Sequence, residues 1–525
     1  MNAARRRRVA VAVLALVVAG CGGHRGPALA PAAVADGRAA RSLQHDIDAV
    51  LASPALAHGY WGVLVRSLGT GQTLYALNGA RLMMPASTLK IVTLAAAAER
   101  LGWDFTYVTR ATAAGSIDGD ALAGDVVVRG SGDPSLTETN SGAVFDDWAG
   151  WLDRLGIRKI RGRIIGDDCA FDRDERLGMG WSWDDLAEGY SAGVSGLQYN
   201  ENAASLTIAP GSVVGAPASL TVAPAAAGLR LNRVAVLTSA AGSAPHVVIR
   251  RFPESEDLDV SGSIPLGAMP RMLTVSVEQP ALFFARTLRD ALIARGIDVQ
   301  GPAAGIRESG PLEAEMQDRQ TLLAEHRSPP LSTLAATLMK RSQNLYAETF
   351  LMTLGAIERQ PDADVPVKPD PAFGRTECDT VRPSSIDRGR EVVRDVLVRW
   401  GISADGLVQR DGSGLSRYDY VTPETLVAIL THVDRDERLR GPFEAALPVA
   451  GRDGTLTNRM KGTPAEARVV AKTGSMSNVR AWAGFVNAAD ERLVFAILAN
   501  NFEAPPETIT AAAEAILVRL ASFRR

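Results

Sequence analysis

Apolar residues recur at helical spacing from residue 40 to 56, through Leu43, Ile47, Val50 and Leu51, and predict an opening helix. Two short alternating runs follow, Gly62-Val-Leu-Val-Arg and Thr73-Leu-Tyr-Ala-Leu. The turn residues Leu68-Gly-Thr-Gly between them predict a β-hairpin. Pro85 then introduces residues 87–101, apolar nearly all round, which read as a buried helix. The far end of the chain mirrors this start. Residues 479–487 and 493–500 read as two strands joined by Ala-Ala-Asp-Glu, and 507–523 as a closing helix. Helices beside an antiparallel sheet drawn from both chain ends predict an α+β fold.

The middle has a different rhythm. From about residue 105 to 325, strand-like runs (Asp125-Val-Val-Val-Arg, Ser205-Leu-Thr-Ile, Ser219-Leu-Thr-Val, His246-Val-Val-Ile-Arg) are separated by Gly, Pro and Ala. One clear helix, 280–295, interrupts them. This pattern predicts β-rich modules inserted into the terminal domain. Residues 357–385, with Pro361, Pro366, Pro369, Pro371 and Pro383, read as a surface loop. Length supports several units: 525 residues suit about three domains.

Composition adds exclusions. Hydrophobic content of 46% with 22% charge is ordinary for a globular protein, and a net charge of -3 gives no electrostatic case for nucleic acid. Arg5 to Arg8 followed by the apolar stretch 9–19 form a secretory signal, because that stretch is shorter than the roughly 20 residues of a membrane-spanning helix. It ends Val18-Ala19-Gly20-Cys21, which resembles a bacterial lipobox. The resemblance implies cleavage before Cys21, lipid attachment to its sulfur, and a flexible Ala/Gly/Pro-rich tether to about residue 40. Export permits a disulfide between Cys169 and Cys378, and two buried free thiols fit equally well.

Lysine usage carries the chemistry. Only six of the 56 basic residues are lysines, and two of these stand in short motifs where arginine could not lose a proton. In Ser87-Thr-Leu-Lys90, positions i and i+3 share a helix face, so the hydroxyl and the amine can meet near a helix N-terminus. Burial lowers a lysine pKa, and a neutral Lys90 could take the Ser87 proton. Ser342-Gln-Asn344 offers a hydroxyl to relay a proton to a leaving amine and an amide to hold a carbonyl. Lys472-Thr473-Gly474 offers a cation and a hydroxyl for a substrate carboxylate, with Gly474 letting a substrate backbone lie close. The amides of Ser475 and Ser87 would form an oxyanion hole, and Lys472 would keep Lys90 neutral by like-charge repulsion. The six histidines show no His-Glu-x-x-His pattern and there is no Gly-x-Ser-x-Gly, which argues against zinc peptidase and lipase readings; no metal or cofactor is implied.

The three motifs in this order resemble the signature of penicillin-recognising serine enzymes. Ser87 and Ser342 lie 255 residues apart, and Ser342 and Lys472 130. A long insert at the first interval resembles the D-alanyl-D-alanine carboxypeptidase/endopeptidases of the penicillin-binding protein 4 type (class C, low molecular mass). Gly130-Ser-Gly-Asp-Pro-Ser-Leu, Trp181-Ser-Trp-Asp-Asp-Leu-Ala-Glu-Gly-Tyr190 and Asp411-Gly-Ser-Gly-Leu-Ser-Arg417 are similar to segments of that family. The resemblance implies a transpeptidase/β-lactamase-like core at 41–108 and 326–525. It also implies inserted domain II at 109–200 and 268–325, inserted domain III at 201–267, a signal peptide at 1–20 and a lipid-anchored linker at 21–40.

It implies, too, a periplasmic or envelope enzyme acting on peptidoglycan peptides and inhibited by β-lactams. Ser87, Lys90, Ser342, Asn344 and Lys472 would be catalytic, and Thr473, Gly474, Ser475 and Met476 would bind substrate. Asp185, Tyr190, Arg417 and Met476 would surround the amine and carboxylate of a diaminopimelate side chain. Gln343 departs from the family, which usually has Asp there. Two rivals are a serine β-lactamase, which would turn penicillin over, and a non-catalytic envelope scaffold, which would tolerate loss of Ser87 or Lys90.

Overall fold

A computed structural model describes residues 37–171, 176–308, 320–357 and 385–525. The signal segment, Cys21, most of the linker, Cys378 and nearly all of the Pro-rich segment lie outside these residues. Cys169 is disulfide-bonded.

The central sheet has five antiparallel strands, in the order Val469–Met476, Val479–Asn487, Arg492–Asn500, Tyr60–Ser67 and Thr73–Leu77. The two ends of the chain meet here, with Val63 opposite Ile497. Side chains alternate along the strand Arg492–Asn500 with the two-residue period of a pleated backbone. Leu493, Phe495, Ile497 and Ala499 face the terminal helices Arg38–Leu51 and Pro506–Ala521, through Leu43, Ile47, Ile509 and Ile516. Val494, Ala496 and Leu498 face the opposite layer, where Ile91, Val92, Phe350, Leu426 and Phe443 pack. That layer comprises the helices Lys90–Leu101, Leu331–Lys340, Asn344–Ile357, Ser385–Arg399, Pro423–Arg435 and Glu437–Ala446. Both faces are covered, so the strand is buried along nearly its whole length. The α+β reading holds.

The middle of the chain forms three further sheets. A seven-stranded mixed sheet is built on Val108–Asp118, Ala121–Gly130 and Gln320–Arg327, with short parallel strands including Ile164–Asp167. Ala203–Ala209 pairs with Ser219–Ala223 and Arg271–Ser276, while Asp257–Pro265 lies between Arg230–Ser239 and His246–Arg250. The expected helix forms at Pro280–Ala294. A second helix, Ser141–Arg154, joins it and was not anticipated. Its apolar positions Val144, Phe145, Trp148 and Leu152 do follow helical spacing, and Phe145 and Trp148 pack on Phe284. No helix among the described residues is long and apolar enough to cross a membrane.

Candidate active site

Ser87 does not lie in an α-helix, as its motif suggested. Ala86–Leu89 is a 3₁₀ turn and the α-helix starts at Lys90. The turn is entered through Ala86 at φ 44°, a left-handed conformation that a residue with a Cβ rarely adopts. The tighter turn still brings the Lys90 amine to the Ser87 hydroxyl, Nζ to Oγ 2.8 Å. Lys90 is fully buried, and its other two contacts are the Asn344 side-chain oxygen at 2.7 Å and the Ser413 carbonyl at 3.0 Å. Both of those groups can only accept. A neutral amine must spend its two hydrogens on them, which leaves its lone pair for the Ser87 hydroxyl.

Burial pushes the Lys90 ammonium down to about 7, against the opposing pull of Glu348 and Asp411. Desolvation therefore does the work that the sequence reading gave to Lys472. The like-charge effect falls on Lys472 instead, which is held well below its ordinary value by burial first and by Lys90 second. Lys472 is also fully buried rather than open to the substrate carboxylate it was expected to bind. It donates to Ser342 Oγ at 2.8 Å and to the Thr473 carbonyl at 2.6 Å. Those two bonds use both hydrogens of a neutral amine and leave the Ser342 proton free to be given away.

Ser342 lies between the helices Leu331–Lys340 and Asn344–Ile357 at φ 57°. Asn344 is oriented from both sides, since its amide nitrogen donates to the Tyr190 carbonyl at 2.9 Å while its oxygen accepts from Lys90. The third motif lies inside the strand Val469–Met476. Gly474 has a reason other than substrate approach. A Cβ there would stand 2.8 Å from the Pro85 carbonyl oxygen and 2.9 Å from the Ser87 nitrogen, so the glycine lets the nucleophile's turn press against the strand. Thr473 shares a 2.7 Å hydroxyl contact with Thr455.

A cavity of about 280 Å³ opens over these groups. Ser87, Ser342, Asn344 and Ser475 line it. Asp185, Tyr190, Arg417 and Met476 line the same cavity, together with Ser182, Leu415 and Ser477. Tyr190 donates to Asp185 at 2.7 Å, and its phenol is pushed up by burial and then by that carboxylate. Arg417 donates to the Ser477 carbonyl at 3.2 Å. Lys90, Lys472, Thr473 and Gly474 do not line the cavity; the two lysines lie behind its wall.

Sequence reasoning missed what underlies the lysine. Glu348, one helical turn beyond Asn344, accepts from the amides of Gly412 at 2.7 Å and Ser413 at 2.8 Å, and so fixes the carbonyl that Lys90 reaches. Asp411 accepts from Gly414, Ser416 and the indole of Trp181, which ties the loop to the inserted segment. Burial, reinforced by Asp411, pushes both the Glu348 and Asp419 carboxyls up. The i+4 spacing from Asn344 to Glu348 was the one available signal for this layer.

An antiparallel sheet with a serine–lysine pair at its edge, backed by a second lysine and a Ser-x-Asn turn, defines a penicillin-recognising serine hydrolase. Comparison with known proteins narrows this. The family model for the D-Ala-D-Ala carboxypeptidase 3 (S13) family matches residues 43–364 and 373–521, and the chain belongs to that family. It is 34% identical over 504 residues to a D-alanyl-D-alanine carboxypeptidase of Actinomadura sp. (strain R39), covering 94% of this chain and 87% of that one. It is 27% identical to the D-alanyl-D-alanine carboxypeptidase DacB of Haemophilus influenzae, covering 84% and 85%. The crystal structure of penicillin binding protein 4 (dacB) from Haemophilus influenzae superposes with a TM-score of 0.75 at 25% identity, covering 92% and 98%. The chain is thus a serine peptidase of the carboxypeptidase class.

Proposed function

We propose that the chain hydrolyses the D-Ala-D-Ala amide of peptidoglycan stem peptides, and D-alanyl-diaminopimelate cross-links, through an acyl-enzyme on Ser87. Ser87 Oγ attacks the carbonyl carbon while its proton passes to the lone pair of Lys90. The Ser87 and Ser475 amides hold the oxyanion. The carbon–nitrogen bond then breaks, its electron pair stays on nitrogen, and the proton taken from Ser87 ends there by way of Lys90 and Ser342. Lys472 holds the Ser342 hydroxyl throughout. Water attacks the ester and the same groups run in reverse. Asn344 fixes Lys90 and bounds the acyl side, and the hydroxyl of Ser475 takes the terminal carboxylate. Arg417, Asp185, Tyr190 and Met476 receive a diaminopimelate side chain, carboxylate to Arg417 and ammonium to Asp185.

The observation that carries this reading is the pair of fully buried lysines, each with its nitrogen 2.8 Å from a serine hydroxyl at the cavity wall. On this reading the core at 41–108 and 326–525 does the chemistry. The inserts at 109–200 with 268–325, and at 201–267, shape access to it. Export, lipid attachment at Cys21 and residence in the cell envelope, where the substrate is, complete the proposal. β-Lactams acylate Ser87 and leave slowly. The test is intact mass after mixing with benzylpenicillin, for wild type and Ser87→Ala. One stable adduct, absent from the variant, is expected; rapid return to the free mass would point to a β-lactamase.

A further inference from the structure

The serine that hands over the proton sits in a conformation that its own backbone disfavours, so something outside it has to hold it there. Ser342 is at φ 57° in a three-residue connection between two helices. A non-glycine residue persists in the left-handed region only where its surroundings over-determine it. Both of its neighbours end on one carboxylate. Arg341 donates to Glu201 through both guanidinium nitrogens, at 2.8 and 3.2 Å, and Gln343 donates its amide to the same carboxylate. Gln343 also accepts from the Leu345 amide at 3.2 Å, which closes the turn from the other side.

Glu201 does not belong to the catalytic motifs. It stands on the inserted segment, 141 residues before Ser342, at the crest of a turn whose three residues, Asn200, Glu201 and Asn202, are all left-handed, at φ 53°, 55° and 53°. That turn is anchored beneath. Asn202 donates to the Gly193 carbonyl at 2.8 Å and to Gln198 at 3.0 Å, and Gln198 reaches Thr349 on the helix after Ser342 at 3.1 Å. Three strained residues in a row raise one carboxylate to the point where it holds both flanks of a fourth.

We propose that Glu201 is a positioning residue for Ser342, a clamp through which the inserted segment sets the proton relay. The charge logic also accounts for residue 343: a carboxylate there would repel Glu201, whereas the amide of Gln343 donates to it. The clamp rests on the mechanism proposed above and refines one step of it, protonation of the departing nitrogen. An amide nitrogen cannot leave without a proton, but a thiolate can.

The test compares two substrates of the same acyl part, a peptide ending in D-Ala-D-Ala and its thioester analogue with a thiolate leaving group. kcat/KM is measured for wild type, Glu201→Ala and Glu201→Gln. Glu201→Ala should lower kcat/KM on the amide on the order of tenfold or more, a fraction of what general acid catalysis supplies, and leave the thioester within about twofold. Glu201→Gln, which keeps an acceptor oxygen, should recover part of the loss. Arg341→Ala supplies the same comparison from the other side of the clamp and should give the same selective loss, with an unchanged melting temperature. Equal losses on both substrates, or no loss on either, would overturn the clamp. Wild-type cleavage of the amide substrate reads the parent mechanism separately, since its absence would count against that mechanism and not against the clamp.

Discussion

Adding one methyl group at Gly474 should slow acylation by displacing the turn that carries the nucleophile and its oxyanion amide. The Cβ of Gly474→Ala would come within 2.8 Å of the Pro85 carbonyl oxygen and 2.9 Å of the Ser87 nitrogen, and both are backbone atoms that cannot swing aside. Ordinary contact begins near 3.4 Å, so the turn carrying Ser87 has to retreat by about 0.5 Å from the strand that carries Ser475. A misplacement of about 1 Å costs on the order of a hundredfold in rate, so half of that costs about tenfold, or roughly 1.4 kcal/mol of barrier. The same overpacking should lower stability by about 1–3 kcal/mol. The assay is the second-order rate of labelling by a fluorescent penicillin at pH 8, with a thermal melt of the same samples. A variant that is labelled within twofold of the wild-type rate would refute the claim that this glycine sets the distance between nucleophile and strand.

Two further outcomes follow from the buried layer and the cavity. Glu348→Ala removes the acceptor of two buried amides, Gly412 and Ser413, and should cost about 2–6 kcal/mol in a urea titration, since each orphaned amide costs about 1–3. A loss below 1 kcal/mol would mean that water replaces the carboxylate there. Asp185→Ala should reduce kcat/KM about tenfold for a stem peptide bearing a free side-chain ammonium, and leave an acetylated side chain unaffected. Equal losses on both peptides would remove Asp185 from the side-chain pocket.

The sequence made legible whatever depended on short spacing. Alternation and helical period located the N-terminal hairpin, the strands at 479–487 and 493–500, the two terminal helices and the helix after Ser87, while the core helices between residues 331 and 446 were not located. Ser87, Lys90, Ser342, Asn344 and Lys472 could be named because each belongs to a motif a few residues long. What long-range packing decides stayed hidden. The 3₁₀ turn at Ser87 packs against Gly474 of the edge strand, a contact that no local spacing records. The dominance of burial over Lys472 in setting Lys90 could not be read, because no spacing says that both amines are sealed behind the cavity wall. Glu348, Asp411 and Glu201 act across 64, 230 and 140 residues in their key contacts, beyond the range of any periodic signal. The helix Ser141–Arg154 was lost among β-rich surroundings although its own aromatic spacing was helical.

The central claim is that Lys90 is an amine, not an ammonium, when Ser87 attacks. Its buried ammonium lies at about 7, so the base is half formed at that pH. The sign follows directly: protonation below that value removes the lone pair, and acylation weakens as pH falls. The direct measurement is the second-order rate of benzylpenicillin acylation of the wild-type protein from pH 5 to 9. The rate should reach a plateau above about pH 8 and fall about tenfold per pH unit below 7. A rate that stays flat down to pH 5 would contradict the account.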